Sequence, residues 1–196
     1  MKTLYRSTRE TASHTMTSSQ AVLQGLTPDG GLFVPVTLPT ANFDFDQLAT
    51  MSYQEVAYEV LKLFFTDYTA DELHACIDAA YGDQFDDPQI APVTKHGQQY
   101  YLELFHGPTI AFKDLALQIL PHLMTTAVKK NHLQAEVVIL AATSGDTGKA
   151  AMAGFANVDQ TRIIVFYPKD GVSAIQKQQM VTQTGANTSV VAINGN

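Results

Sequence analysis

With 196 residues, 45% of them hydrophobic and 16% charged, the chain has an ordinary globular balance and room for one domain or one and a half. A formal net charge of −7 without any Lys/Arg cluster argues against a nucleic-acid-binding surface. No apolar run reaches the length of a membrane span, residues 1–6 lack the apolar run of a signal peptide, and a single cysteine, Cys76, excludes an internal disulfide and points to a reducing compartment, the cytoplasm.

Residues 3–9 are short and polar. Residues 19–24 predict a short helix stopped by Gly25. Pro28-Asp29-Gly30-Gly31 is a turn, and the brief strand after it is closed by Pro35 and Pro39, which makes it an edge at best. A short helix is expected over 43–50. Ser52 and Glu55 form a capping-box pattern and open a helix to about residue 65, with Val56, Val60, Leu61, Leu63 and Phe64 as its apolar face. Thr69 and Glu72 repeat the pattern for a helix that carries Leu73, Cys76, Ile77 and Tyr81 and stops at Gly82. Residues 1–91 therefore read as a helical N-terminal unit ending in an acidic connector.

Short strands follow over 92–95 and 100–104, with a turn at His96-Gly97. A helix is expected from 111 to about 130, kinked or broken at Pro121. Three apolar, β-branched runs, 136–142, 162–167 and 188–193, then alternate with helices over 148–156 and 173–182, the second opened by Ser173 and Gln176. That rhythm indicates an α/β fold, an open and mainly parallel sheet with flanking helices, over 92–196. A βαβ series is expected to continue past the last strand, so the chain reads as a truncated piece of a longer protein, with apolar sheet faces left uncovered.

Two stretches carry chemistry. In the first, an apolar run ends at Gly107-Pro108, Thr109 is a candidate helix cap, and Lys113 falls in the first helical turn among Ile110, Phe112 and Leu115. The backbone dipole there disfavours a cation, and a lysine so placed suits Schiff-base chemistry. The competing reading is a surface lysine beside Asp114, a pair of adjacent helix positions that do not face each other. In the second stretch, the strand 137–142 leads into Thr143-Ser144-Gly145-Asp146-Thr147-Gly148 and a small-residue helix. A Gly-rich turn at the C-terminal end of a parallel strand is where α/β sheets bind ligands, and a helix N-terminus favours a phosphate or a carboxylate. A nucleotide P-loop is excluded twice, by Thr143 where Gly is required and by Ala150 where Ser or Thr is required. A purely structural reading, with Asp146 as a cap, stays open. His14, His74, His96, His122 and His132 lack metal-ligand spacing, so no metal is expected. His106, beside the Gly-Pro turn, is assigned a structural hydrogen bond. The loop 169–173 either lines the same cleft or is solvated.

These residues resemble a family. Leu104-Phe105-His106-Gly107-Pro108-Thr109-Ile110-Ala111-Phe112-Lys113-Asp114 is similar to the lysine motif of threonine synthases, pyridoxal-phosphate enzymes of fold type II. Ala142-Thr143-Ser144-Gly145-Asp146-Thr147-Gly148 resembles their second signature. Tyr5-Arg6-Ser7-Thr8-Arg9, the stretch 26–35, and Tyr167-Pro168 with Ser173, Ile175 and Gln176 match as well. The resemblance implies that Lys113 carries pyridoxal 5'-phosphate as an internal aldimine and acts as the catalytic base. It implies that Ser144, Gly145, Asp146 and Thr147 surround the cofactor. It implies that Thr109, Thr143, Ser144 and Thr147 meet the substrate, O-phospho-L-homoserine, on its way to L-threonine and phosphate. It further implies that 92–196 is an incomplete cofactor- and substrate-binding domain, with the cofactor-phosphate loop and the C-terminal catalytic part outside this sequence. Alternatives are another fold type II lyase, such as a threonine or serine dehydratase, or a non-catalytic threonine-synthase-like protein; the isolated piece is expected to be inactive.

Overall fold

A computed structural model describes residues 2–9, 14–143 and 145–195. They divide into two units, Met1–Ala79 with His122–Gln134, and Ala80–Pro121 with Ala135–Asn196. In chain order the first stretch carries β1 (Tyr5–Ser7), α1 (Ser18–Gln24), β2 (Phe33–Pro35), α2 (Phe45–Leu48), α3 (Tyr53–Phe64) and α4 (Ala70–Ala80). The rest carries β3 (Val93–His96), β4 (Gln99–Leu102), α5 (Asp114–Leu117), α6 (Leu120–Lys130), β5 (Val137–Ala142), α7 (Asp146–Phe155), β6 (Thr161–Pro168), α8 (Ala174–Val181) and β7 (Thr188–Ile193).

In the first unit, helix starts follow the capping chemistry written in the sequence. Glu55 N–H donates to Ser52 Oγ at 3.2 Å and Ser52 N–H to Glu55 Oε2 at 2.7 Å, opening α3. Thr69 and Glu72 exchange the same pair of bonds at the start of α4. The α1 helix begins one residue earlier than expected because Thr17 and Gln20 form a third capping box. It ends at Gly25, whose φ of 71° is a conformation that costs glycine little. Leu73, Cys76 and Ile77 of α4 are buried, as are Leu123, Met124, Ala127 and Val128 of α6. Tyr68 Oη donates to the Leu123 carbonyl at 2.9 Å, and Lys130 Nζ donates to Glu72 Oε2 at 2.8 Å. Burial raises the Cys76 thiol, so this cysteine is a small core residue and not a nucleophile. The stretch expected to be merely polar, 3–9, instead supplies β1, which pairs antiparallel with β2 (Tyr5 opposite Pro35, Ser7 opposite Phe33). Pro35 is tolerated because this sheet has two strands and both are edges.

The second unit places a parallel sheet, in the order β5-β6-β7, beneath two helices. Both crossovers run to the next strand in sequence, and crossovers of one hand put α7 and α8 on the same side. Ile163, Val165 and Tyr167 of β6 are buried, as are Ala150, Ala151, Met152 and Phe155 of α7. Val138, Leu140 and Val191 remain exposed, in keeping with the expected uncovered face. The β3-β4 hairpin turns at Gly97, φ 63°. No helix among the described residues is long and apolar enough to cross a membrane.

The helix expected from 111 to about 130, kinked or broken at Pro121, is broken into two helices, α5 and α6, and it opens at Asp114, three residues later than expected. Pro121 lies in the first turn of α6, where its missing N–H leaves no bond unmade, so the break falls just before it, at residues 118–119. Lys113 accordingly sits at the N-cap position of the four-residue α5 and not inside a long helix.

Candidate active site

The lysine motif is built as a chain of restraints. Residues 107–110 form a tight turn closed by Ile110 N–H donating to the Gly107 carbonyl at 3.0 Å. Ile110 has φ 62°, a left-handed conformation that costs a β-branched residue on the order of 1–3 kcal/mol. What offsets it is the Asp114 carboxylate, 1% exposed, which accepts the Thr109 N–H at 2.8 Å and the Thr109 hydroxyl at 2.6 Å. Thr109 is therefore not the cap of α5. It lies too far upstream, and its hydroxyl donates to a carboxylate where a cap would accept from the helix. Gly107 packs on Asp114 so closely that an added Cβ would stand 2.5 Å from the Asp114 Cβ. Upstream, His106 bridges Asp86 Oδ1 (2.5 Å) and Glu103 Oε2 (2.8 Å), the structural role expected of it. Hydrogen bonds to Glu103 and Asp86 raise its pKa above the usual value, and the same contact with His106 lowers that of Glu103. Downstream, Tyr81 Oη donates to the Leu115 carbonyl at 2.6 Å and ties α5 down.

The second motif folds as a cap. Thr143 Oγ1 accepts the N–H groups of Gly145 (3.1 Å) and Gly148 (3.3 Å), which leaves its own hydrogen available to donate. The first helical amides of α7, Asp146 and Thr147, have no acceptor one turn back within the helix. Gly145 is buried beneath Gln176, and an added Cβ would lie 2.4 Å from Gln176 Nε2. Gln176 Nε2 in turn donates to Asp146 Oδ1 at 3.3 Å, while Gln176 Oε1 accepts from the Ser173 hydroxyl at 3.1 Å. One side chain thus spans the loop before α7 and the loop before α8. Lys149, which completes the superficial P-loop likeness, donates to Gln183, and burial lowers its pKa.

The two motifs meet. Lys113 Nζ donates to Thr147 Oγ1, linking residues 34 apart in sequence, and lies 5.9 Å from the centre of the Phe112 ring. Asp146 and Thr147 are exposed beside it. Among the described residues no carboxylate forms a salt bridge with Lys113, so the amine is held by a neutral hydroxyl and is available to a carbonyl compound. Of the expected site residues, Lys113 and Thr147 touch. Thr143 and Gly145 lie in the loop that enters α7, Asp146 precedes Thr147 in its first turn, and Thr109 faces Asp114. Ser144 lies outside the described residues. Sequence reasoning missed Asp114 and Gln176; the signals were an Asp five residues after the Thr of a Gly-Pro-Thr turn, and a capping-box Gln with a second amide atom to spend.

Residues 4–81 match the family model described as threonine synthase N terminus. The whole chain aligns with threonine synthase of Eremothecium gossypii at 35% identity, spanning 41% of that protein. Crystal structures of threonine synthase from yeast (TM-score 0.90, 30% identity, 100% of this chain and 41% of that one) and of PLP-bound threonine synthase from Brucella melitensis (TM-score 0.86, 37% identity, 99% and 42%) superpose on it. The chain spans about two fifths of the length of these relatives. Capping boxes, parallel sheet, lysine turn and relatives agree: over its whole length the chain is similar to the N-terminal two fifths of threonine synthases, and it shares the fold type II architecture of those structures.

Proposed function

We propose that this chain is the lysine-bearing part of a threonine synthase whose full-length form converts O-phospho-L-homoserine and water to L-threonine and phosphate with pyridoxal 5'-phosphate. The observation that carries the reading is the bond between Lys113 and Thr147, which joins the two motifs at one point. The donor set fits an aldehyde cofactor: a primary amine without an ion pair among the described residues, a hydroxyl against it, and an exposed carboxylate, Asp146, next to that hydroxyl's residue. Lys113 would hold the cofactor covalently, with Ser144, Gly145, Asp146 and Thr147 around it. Once bound, the cofactor supplies an electron sink for bonds broken next to the substrate amine.

The remaining steps belong to the chain's own groups. Released by the substrate, the Lys113 amine takes up a proton at one substrate carbon and returns it at a neighbouring one, a general base and then a general acid at a single nitrogen. The Thr147 hydroxyl both accepts and donates, so it keeps Nζ in place in either protonation state. The Thr143 hydroxyl, its acceptor side spent on Gly145 and Gly148, offers its hydrogen to the substrate carboxylate, together with Ser144 and Thr147. Thr109 has committed its hydrogen to Asp114 and meets the substrate only as an acceptor. We assign the work to residues 92–196 other than 122–134, which pack with 1–79 in the first unit, and place the enzyme in the cytoplasm acting on a small molecule.

The test is turnover by the full-length protein. Phosphate release from O-phospho-L-homoserine, lost in Lys113→Ala, is the expected result. Preferential deamination of serine or threonine would move the protein to the dehydratases, and cofactor uptake without turnover of either would make it a binding member of the family.

A further inference from the structure

We propose that Asp114 is a positioning residue for Lys113: its buried carboxylate, acting through Thr109, fixes the 107–110 turn and so sets where the lysine amine points. The proposal rests on Lys113 being the cofactor-bearing residue.

Four observations converge on this carboxylate. It is almost fully removed from solvent, and both of its oxygens are engaged by one residue, Thr109, through the backbone amide and the hydroxyl. It stacks on Gly107, where only a hydrogen fits. The turn it braces contains Ile110 at φ 62°, which would relax without the brace. Finally, the segment from that turn to the lysine is short and itself hydrogen-bonded, Asp114 N–H to the Ala111 carbonyl at 3.0 Å and Leu115 N–H to that of Phe112 at 3.3 Å. No slack separates the turn from Lys113, so a shift of the carboxylate is a shift of the amine. Helix capping does not explain the arrangement: α5 has four residues, its N-cap is Lys113, and no side chain caps it. An amide in place of the carboxylate keeps both contacts only if the Thr109 hydroxyl turns to accept from its Nδ2, which replaces two charge-assisted bonds with neutral ones of about half the strength.

The experiment uses the full-length protein with Asp114→Asn, Thr109→Val and Thr109→Ser. Three readouts are taken: hydrogen exchange of the 105–114 peptide without cofactor, reductive methylation of Lys113 by formaldehyde and cyanoborohydride relative to Lys95, and uptake of pyridoxal phosphate followed by its visible band. Asp114→Asn and Thr109→Val are expected to speed exchange and weaken cofactor uptake by about tenfold each, the factor for losing one hydrogen bond to a charged group. Both are expected to shift the Lys113-to-Lys95 labelling ratio. Thr109→Ser keeps both donors and is expected to recover slow exchange, labelling ratio and uptake relative to Thr109→Val, all three being read without substrate. Should Asp114→Asn fail to fold, Thr109→Val carries the test. Unchanged labelling and uptake in a folded variant, even with faster exchange, would overturn the proposal and leave Asp114 a brace of the turn alone. A wild type that takes up no cofactor would refute the functional reading, and the labelling ratio would still decide the positioning.

Discussion

Gly154→Ala separates two effects of opposite sign. Gly154 lies near the end of α7, where intrinsic propensity favours Ala over Gly by up to about 1 kcal/mol. The structure predicts the reverse. An added Cβ would stand 2.1 Å from the Leu117 carbonyl oxygen and 3.0 Å from its carbon. The obstacle is backbone, which cannot rotate away like the end of a side chain, so α5 and α7 must move apart by about 1 Å, with overpacking costs of roughly 1–3 kcal/mol. Propensity recovers part of that, leaving a net loss of about 1–2 kcal/mol, or roughly 2–8 °C in melting temperature for a chain of this size. Because α5 begins immediately after Lys113, the same displacement should weaken cofactor uptake. Thermal and urea unfolding of wild type and variant measure the first effect and the visible band the second. A variant more stable than the wild type would refute the claim that close helix approach, and not helix propensity, governs this glycine.

Three further outcomes are expected. Tyr68→Phe, which leaves the Leu123 carbonyl without its 2.9 Å donor, should cost about 1 kcal/mol in urea unfolding. Gln118→Met should change stability by less than about 1 kcal/mol, because Gln118 Nε2 is buried without a hydrogen-bond partner among the described residues, so its removal forfeits no bond. His106 is charged more readily in the folded protein than in the unfolded one; the stabilisation this confers is complete below about pH 6.5 and is lost as pH rises through the higher folded value. Hydrogen exchange of the 103–107 segment should therefore quicken with pH beyond its intrinsic rise above that point, and His106→Gln should abolish the extra dependence.

The parts of the fold that were legible in the sequence are those written in local chemistry. Ser52 with Glu55, Thr69 with Glu72 and Ser173 with Gln176 announced three helices, because each pair needs only residues three apart. The three parallel strands were legible because each is a continuous apolar, β-branched run on both of its faces, although one face of the sheet is exposed here. Elements held by distant partners were not. The β1 strand is three residues long and exists through its pairing with β2. Asp114 looked like the idle neighbour of a lysine, since the sequence does not reveal that the chain doubles back at Ile110 to bring Thr109 onto it. The meeting of Lys113 with Thr147 was implied by family resemblance and not by spacing, for nothing local ties residue 113 to residue 147.

The central claim is that Lys113 is the cofactor-bearing lysine of a threonine synthase. Pyridoxal phosphate is added to the full-length protein and to Lys113→Ala, absorbance is followed, and the adduct is fixed with borohydride and mapped by peptide mass. The account predicts a visible band in the wild type, fixed on the peptide containing Lys113 and absent from the variant. A band that persists in Lys113→Ala, or label fixed on any other lysine, would contradict it.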